Sequence, residues 1–554
     1  VQEEFISNDE FIVTRGSEFF RGGELNFPND DPSVDKRFRT NFKGASFDTK
    51  LYGNSNHNQR MGIRRLTAVR KPELPGFHRQ LQENQLKFVK EMLDQGILRV
   101  FKDAYEDYFE DFIDAETEAD IHHADPHPKR IPRINAWKQL NDSGERFSYN
   151  SLWVQSIAWK AKFEQAKPNK KMRMIMDLGV SASLRGAWLF NAIKKAQDQE
   201  QITLFGGTFE FCKSPALGRM HDVFDRLAQP SGKFHFVYFS DDAALAVRIR
   251  DRVQWFNLDI SSCDASHGPA IFDVLRYLVP ERVSFDLERL ISQCSSELII
   301  TSVSDPNHIV GLKPKYPKLY SGSTITTGIN NVANILIGLS IAIALSEPSA
   351  QLTQELIETA ANRAGYIVTG GSPLRSFEKL QFLKHSPMLD IAGCYRPVLN
   401  FGVVIRSTGS LVGDLPGSGP LQPRADTFQR SVLRGMYPKT RFSFVEEMGA
   451  ACTTNVQLTP GQTVQLAALV TNLTSFKVEF DEYPTTTIPD SSFATRYDLT
   501  DLELLELHDY AQLPYSYFLN NSAISKVLEL DYGHKTIDYS EAEYSNGFRC
   551  SSAG

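Results

Sequence analysis

The stretch FHFVYFSDDAALAVRIRDRVQWFNLDISSCD, residues 234–264, decides how the chain is read. Three apolar runs, HFVYF (235–239), AALAVRI (243–249) and VQWFNLD (253–259), are separated by SDD and by a turn at Asp251-Arg252. Runs this short with turn signals between them predict three successive antiparallel strands. A tight turn between apolar strands ordinarily takes Gly or Asn, whose backbones accept positive φ. Here the turn is Ser240-Asp241-Asp242, and adjacent carboxylates at a hairpin tip repel one another. A local choice that conflicts with stability tends to mark a functional position. Taken alone, SDD is equally an exposed acidic turn. Seventeen residues after Asp242, however, the third strand ends in Asp259-Ile260-Ser261-Ser262-Cys263-Asp264. A meander brings Asp259 beside Asp241 and Asp242. Three carboxylates at one sheet edge are hard-oxygen ligands suited to Mg²⁺ together with substrate phosphates. Two such ions, roughly 3.5–4 Å apart, clamp the attacking and leaving oxygens of an in-line phosphoryl displacement.

Downstream lies SGSTITTGINN, a Ser321-Gly322 loop running into a predicted helix from about Gly328 to Leu345. Thr326 and Asn330 fall at i and i+4, on one helical face. Short hydrogen-bonding side chains there suit a ribose hydroxyl; capping of a buried helix is the competing explanation. Upstream, residues 160–173 (KAKFEQAKPNKKMR) carry six basic side chains against one acidic. They form either a solvated loop or a phosphate contact.

The whole chain bounds these readings. Its 554 residues exceed one ~150-residue domain severalfold. Its 41% hydrophobic and 23% charged residues are those of a globular protein. A net charge of −7 does not suggest a nucleic-acid binder, but local patches rather than totals decide phosphate contact. Six cysteines without paired spacing read as reduced thiols of a soluble intracellular protein. The acidic start VQEEFISNDEF is unlike a signal peptide. The apolar run Val332–Leu345, broken by Asn334 and Ser340, is too short to span a bilayer. Residues 1–70 are polar and predicted to wrap over a larger body. Helical periodicity covers 75–115 and ends in an acidic face, with nine Asp or Glu in 103–120. HHADPHPKR reads as a surface loop rather than a metal site. A helix is expected over Pro269–Leu278, a strand and turn at RAGYIVTGG, a hairpin opening at LQFLKHSP, and a threonine-rich β segment near 453–487. Thr500-Asp501-Leu502-Glu503 is a capping box.

On these residues the chain resembles viral RNA-dependent RNA polymerases. DISSCD (within 255–268) looks like motif A, SGSTITTGIN (320–345) like motif B and FSDD (236–245) like motif C. KKMRMI (near 167–175) resembles motif F, GYIVTGG (362–371) motif D and FLKHS (380–388) motif E. The C-A-B order is similar to the permuted polymerases of birnaviruses and permutotetraviruses. Birnavirus enzymes carry Ala-Asp-Asn at the hairpin, so Ser-Asp-Asp departs from them. The site needs only adjacent strands, so rewired connections leave the carboxylates in place.

The resemblance implies an α+β right-hand fold of fingers, palm and thumb, with an antiparallel palm sheet and permuted connectivity. It places an N-terminal extension and fingers in 1–190, a palm in 191–395 with a fingers insertion at about 275–320, and a thumb in 396–554. It implies template-directed ribonucleotidyl transfer, with Asp259 and Asp241 holding two Mg²⁺ ions (Mn²⁺ substituting) and Asp242 assisting. Arg173, Lys171 and Lys170 would hold the triphosphate, Asp264 with Asn330 would read the ribose 2′-hydroxyl, and Ser321-Gly322 would flex during translocation. Implied partners are RNA template and product, NTPs, and other viral replication or capsid proteins in the host cytoplasm. A reverse transcriptase and a non-catalytic RNA-binding palm are the rivals. Asp264, where reverse transcriptases place a bulky aromatic, opposes the first, and the full aspartate set opposes the second. Self-nucleotidylation for protein priming is compatible, with no acceptor residue identified.

Overall fold

The computed structural model describes residues 10–28, 37–39, 55–67, 76–106, 156–161, 173–177, 193–213, 215–323, 325–407, 410–412, 437–440, 486–508 and 522–532, with gaps of one or two residues. HHADPHPKR, the acidic run beyond 106, Lys170, Lys171 and nearly all of the 453–487 segment lie outside the described residues.

The predicted meander forms, with strands at Phe234–Phe239, Asp242–Ile249 and Arg252–Ile260. It is the centre of a six-stranded sheet in a mixed α+β architecture. Val368–Thr369 adds on beside Arg252–Ile260, while Gly207–Phe211 and Ile202–Leu204 extend the other edge. Every pairing is antiparallel except that of Gly207–Phe211 with Phe234–Phe239.

Both faces of this sheet are buried, which is why its strands are apolar along their length rather than alternating. Phe236, Tyr238, Leu245, Phe256 and Leu258 share one core with the helices Ala270–Leu278 and Thr326–Ser346. Val237, Ala244 and Ala246 face the opposite way, against the helix Leu217–Ala228 and residues 377–383. The Thr326–Ser346 helix approaches the sheet closely at Gly338, where a Cβ would meet the Phe209 ring at 2.8 Å and the Phe236 ring at 3.0 Å.

That helix is longer than the sequence pattern predicts. It begins at Thr326, so at 21 residues it is long and apolar enough to cross a bilayer. Yet 83% of its most apolar window is buried inside the protein, as for a core helix. Its polar interruptions have partners there: the Ser340 hydroxyl donates to the Ala360 carbonyl at 2.6 Å.

A second, five-stranded sheet draws on distant segments, in the order Phe11–Arg15, Ile309–Pro314, Glu297–Thr301, Ser156–Ala161, Met174–Asp177. The hairpin expected at LQFLKHSP pairs His385–Leu389 with Tyr395–Leu399. The capping box is present: the Thr500 N–H donates to Glu503 at 3.1 Å, and the Glu503 N–H donates to the Thr500 hydroxyl at 3.3 Å.

Overpacking a tight helix–sheet contact costs about 1–3 kcal/mol. Gly338→Leu is therefore expected to lower the denaturation midpoint correspondingly. An unchanged midpoint would show that helix and sheet separate there without cost.

Candidate active site

Strand register brings the carboxylates together. Asp242 opens its strand opposite both Phe239 and Asp259, so the two aspartates are direct cross-strand partners. Asp241 sits one residue earlier, in a two-residue turn with Ser240, whose φ is 53°. No glycine supplies that conformation. Buried asparagines of the Thr326–Ser346 helix hold it instead. Asn331 Oδ1 accepts the Ser240 N–H at 2.6 Å, and Asn334 Nδ2 donates to the Ser240 carbonyl at 2.5 Å. Asn331 is fixed in turn by Gln197, to which its Nδ2 donates at 2.8 Å.

A cavity of about 450 Å³ lies at this edge. Of the site residues expected from the sequence, Asp241, Asp259, Asp264, Arg173, Ser321, Thr326 and Asn330 line it. Asp241 and Asp259 are exposed to it.

Asp242 is placed differently from its two neighbours. It does not line the cavity, and its Oδ2 accepts the Leu383 backbone N–H at 2.7 Å. That donor belongs to a tight turn in which Leu383 and Lys384 both have positive φ, 50° and 61°. Such backbone is costly for residues with a Cβ and persists only where its surroundings impose it. Burial pushes the Asp242 carboxyl up to about 8; Asp241 and Asp259 add to the rise, and the Leu383 N–H opposes it. The three-carboxylate cluster expected from the sequence is thus a pair in the cavity and a third group behind it. Among the described residues, no group of three or more His, Cys, Asp or Glu is gathered to hold a metal ion by itself.

The polar wall opposite is organised around Asp264. Its Oδ2 accepts the Ser321 hydroxyl at 2.6 Å and its Oδ1 accepts Asn330 Nδ2 at 2.9 Å. Thr326 lines the cavity and also ties down its own loop: its hydroxyl donates to the Ser323 carbonyl at 2.8 Å and the Tyr320 carbonyl at 3.2 Å. Short hydroxyl side chains at a helix start find nearby backbone acceptors, so its proton serves the loop. Gly322 takes φ +89°, and a Cβ on it would stand 2.9 Å from the Met176 carbonyl. The Met176 N–H also donates to the Ser321 carbonyl at 2.8 Å. The loop expected to flex is therefore stitched to the strand that begins just after Arg173, which fixes Arg173 relative to Asp264.

Sequence reasoning missed several contributors. Arg65 and Leu66 reach the cavity from the helix Asn56–Thr67, in the stretch read only as a wrapping arm. The signal was present, since NHNQRMGIRRLT carries arginines and no acidic residue. Trp159 and Tyr320, packed edge to face with centroids 5.3 Å apart, form another wall. Neither stands out in sequence from any other core aromatic.

The Asp242 shift yields a pH dependence. Its folded-state pKa of about 8 lies above the ordinary aspartate value of 3.8, so the folded state favours the proton. Stability then falls as pH rises between those values, because the unfolded chain gives up that proton first. Asp242→Asn keeps an acceptor for Leu383 and removes the titration. Without divalent cations, its Tm gain over the unsubstituted protein should grow from pH 5 to pH 8.5. A constant difference would contradict the raised pKa.

No family model and no curated protein sequence matches the chain. Among solved structures, it is similar to the RNA polymerase VP1 from infectious pancreatic necrosis virus, with a TM-score of 0.41 and 11% identity over 72% of this chain and 64% of that one. It is also similar to the birnavirus VP1–VP3 complex, with a TM-score of 0.41 and 11% identity over 72% of this chain and 62% of that one. The chain thus spans less than two thirds of the length of either of these matched chains.

Proposed function

We propose that the chain is a viral RNA-dependent RNA polymerase, transferring ribonucleotides from NTPs to an RNA 3′-hydroxyl. The observation that carries this reading is a juxtaposition. Asp241 and Asp259, Arg173, and the Ser321–Asp264–Asn330 wall converge on one cavity from segments spread over residues 173–330. In this reading the six-stranded sheet is the palm of a right hand. Residues before about 190 and those near 275–320 supply fingers, and residues after about 395 the thumb. The hairpin bearing Ser240-Asp241-Asp242 precedes the Asp259 strand and the Thr326–Ser346 helix in sequence, which is the permuted C-A-B order.

The donor set fits Mg²⁺, or Mn²⁺ in its place. Asp241 and Asp259 are hard-oxygen ligands exposed to the cavity, with Asp242 behind them as a helper. Mg²⁺ commonly takes one or two carboxylates and completes its shell with substrate phosphates and water, so a pair of aspartates suffices. Bound there, the metal would lower the pKa of the 3′-hydroxyl and neutralise charge building on the triphosphate. Arg173 offers a planar guanidinium that grips phosphate oxygens bidentately, assisted by Lys170 and Lys171. Asp264, with Asn330 and Ser321, presents polar atoms to the ribose. A site built to bond a hydroxyl rejects the sugar lacking it, because its own polar groups are then left unpaired. Template and product RNA are the macromolecular partners, with other viral replication or capsid proteins, in the host cytoplasm or the virion.

Primer extension with purified protein and Mg²⁺ tests the reading. Asp259→Ala and Asp241→Ala should each cost on the order of a thousandfold in rate while the protein stays folded. A variant keeping more than a tenth of the incorporation would remove its aspartate from the chemistry. Arg173→Ala should raise KM for all four NTPs alike, since a phosphate contact carries no base information. A change confined to one nucleotide would refute that role.

A further inference from the structure

We infer that His267 is a positioning residue for sugar selection, orienting Asn330 toward Asp264 without touching the substrate. The inference rests on the proposed ribose-sensing role of Asp264 and Asn330. His267 follows the short helix Cys263–Ser266, three residues after Asp264, and is buried. Its Nε2 lies 2.7 Å from Asn330 Oδ1 and its Nδ1 lies 2.8 Å from the Tyr366 hydroxyl. Neither His267 nor Tyr366 lines the cavity.

Proton directions follow from the carboxylate. The Asp264 carboxyl oxygens accept from Ser321 and from Asn330, so the Asn330 amide nitrogen faces them. The amide oxygen then turns toward His267, where an oxygen requires a donor, so Nε2 carries the hydrogen. The tautomer with its hydrogen on Nε2 keeps a lone pair on Nδ1, to which the Tyr366 hydroxyl donates. Tyr366, His267, Asn330 and Asp264 therefore form a chain in which each donates to the next. The tautomer of a histidine is set by the bond its second nitrogen makes, and here Tyr366 makes it.

Without a donor at Nε2, the Asn330 oxygen is left with the weaker Cys263 thiol, 3.2 Å away, as its donor. The amide is then held less firmly against Asp264, and the wall that meets the 2′-hydroxyl is less fixed before the substrate arrives. Preorganisation of this kind depends on supporting side chains being locked. The elements involved come from three parts of the chain: the short helix Cys263–Ser266 after the Asp259 strand, the Thr326–Ser346 helix, and Tyr366, three residues past the helix Gln354–Arg363. Tyr366 and His267 also touch edge to face, centroids 5.5 Å apart, so a purely structural role has to be separated from a positioning one.

The test is primer extension by the full chain on one RNA template with NTPs or dNTPs, comparing kcat/KM for each. His267→Phe should narrow the NTP-to-dNTP ratio about tenfold, mostly through a higher KM for NTPs, the scale of one lost hydrogen bond. His267→Gln places an amide N–H near the Nε2 position and should restore most of the ratio. Tyr366→Phe should narrow it by about two- to threefold, less than losing the donor itself. Equal losses with both substrates, or an unchanged ratio in folded His267→Phe, would overturn the positioning role while leaving the polymerase reading intact. If His267→Phe does not fold, an unchanged ratio in Tyr366→Phe overturns it instead. Wild-type protein that makes no RNA, or prefers dNTPs, would overturn the polymerase reading and this inference together.

Discussion

Like charge held in close quarters is the constraint on which the rest of this structure depends. Asp242 and Asp259 face one another across two strands, with Asp241 at the adjoining turn. Side by side and unrelieved, carboxylates repel and destabilise. Relief comes from three directions. Asp241 and Asp259 face a cavity. Asp242 takes a backbone N–H from a strained turn and holds its proton up to about 8. The Ser240 backbone, in a conformation that glycine would normally supply, is gripped by Asn331 and Asn334.

The same constraint explains the composition of the central helix. Its apolar length belongs to a core element, while Asn330, Asn331 and Asn334 gather near its N-terminal half. A buried amide is tolerated only when its donors and acceptors are met. Here they meet the carboxylate turn and Asp264, so the polar residues of the helix record what the helix holds rather than where it ends.

The other half of the cavity depends on long-range closure. The five-stranded sheet that carries Trp159 and leads in from Arg173 is assembled from segments nearly 300 residues apart in sequence. Its N-terminal strand is anchored through Glu10, which bonds to His78, Tyr316 and Lys318. Burial alone would raise the Glu10 pKa, but the His78 bond and the Lys318 charge hold it well below the usual carboxylate range. Glu10 is therefore kept as an anion, and its tie fixes the strand Phe11–Arg15 against Ile309–Pro314. A pair broken here would leave a buried charge without its partner, which is more costly than the pair is stabilising.

By itself the sequence determined the meander and marked Asp241, Asp259 and Asn330, because these depend on short-range patterns, while Arg173 and Asp264 entered through the resemblance of their motifs. Strand periodicity, a two-residue turn and an i, i+4 helical face are local properties, legible within a few residues. It also exposed its own conflict at Ser240-Asp241-Asp242, where turn chemistry and charge disagree. Only the tertiary structure decided that Asp242 turns toward Leu383, that the Thr326 hydroxyl serves its own loop, and that Gly322 is fixed against Met176. Nor did any pattern announce Trp159, Tyr320 or His267. Their roles depend on which of several nearby donors and acceptors each side chain meets, and that choice is made by packing between segments far apart in the chain.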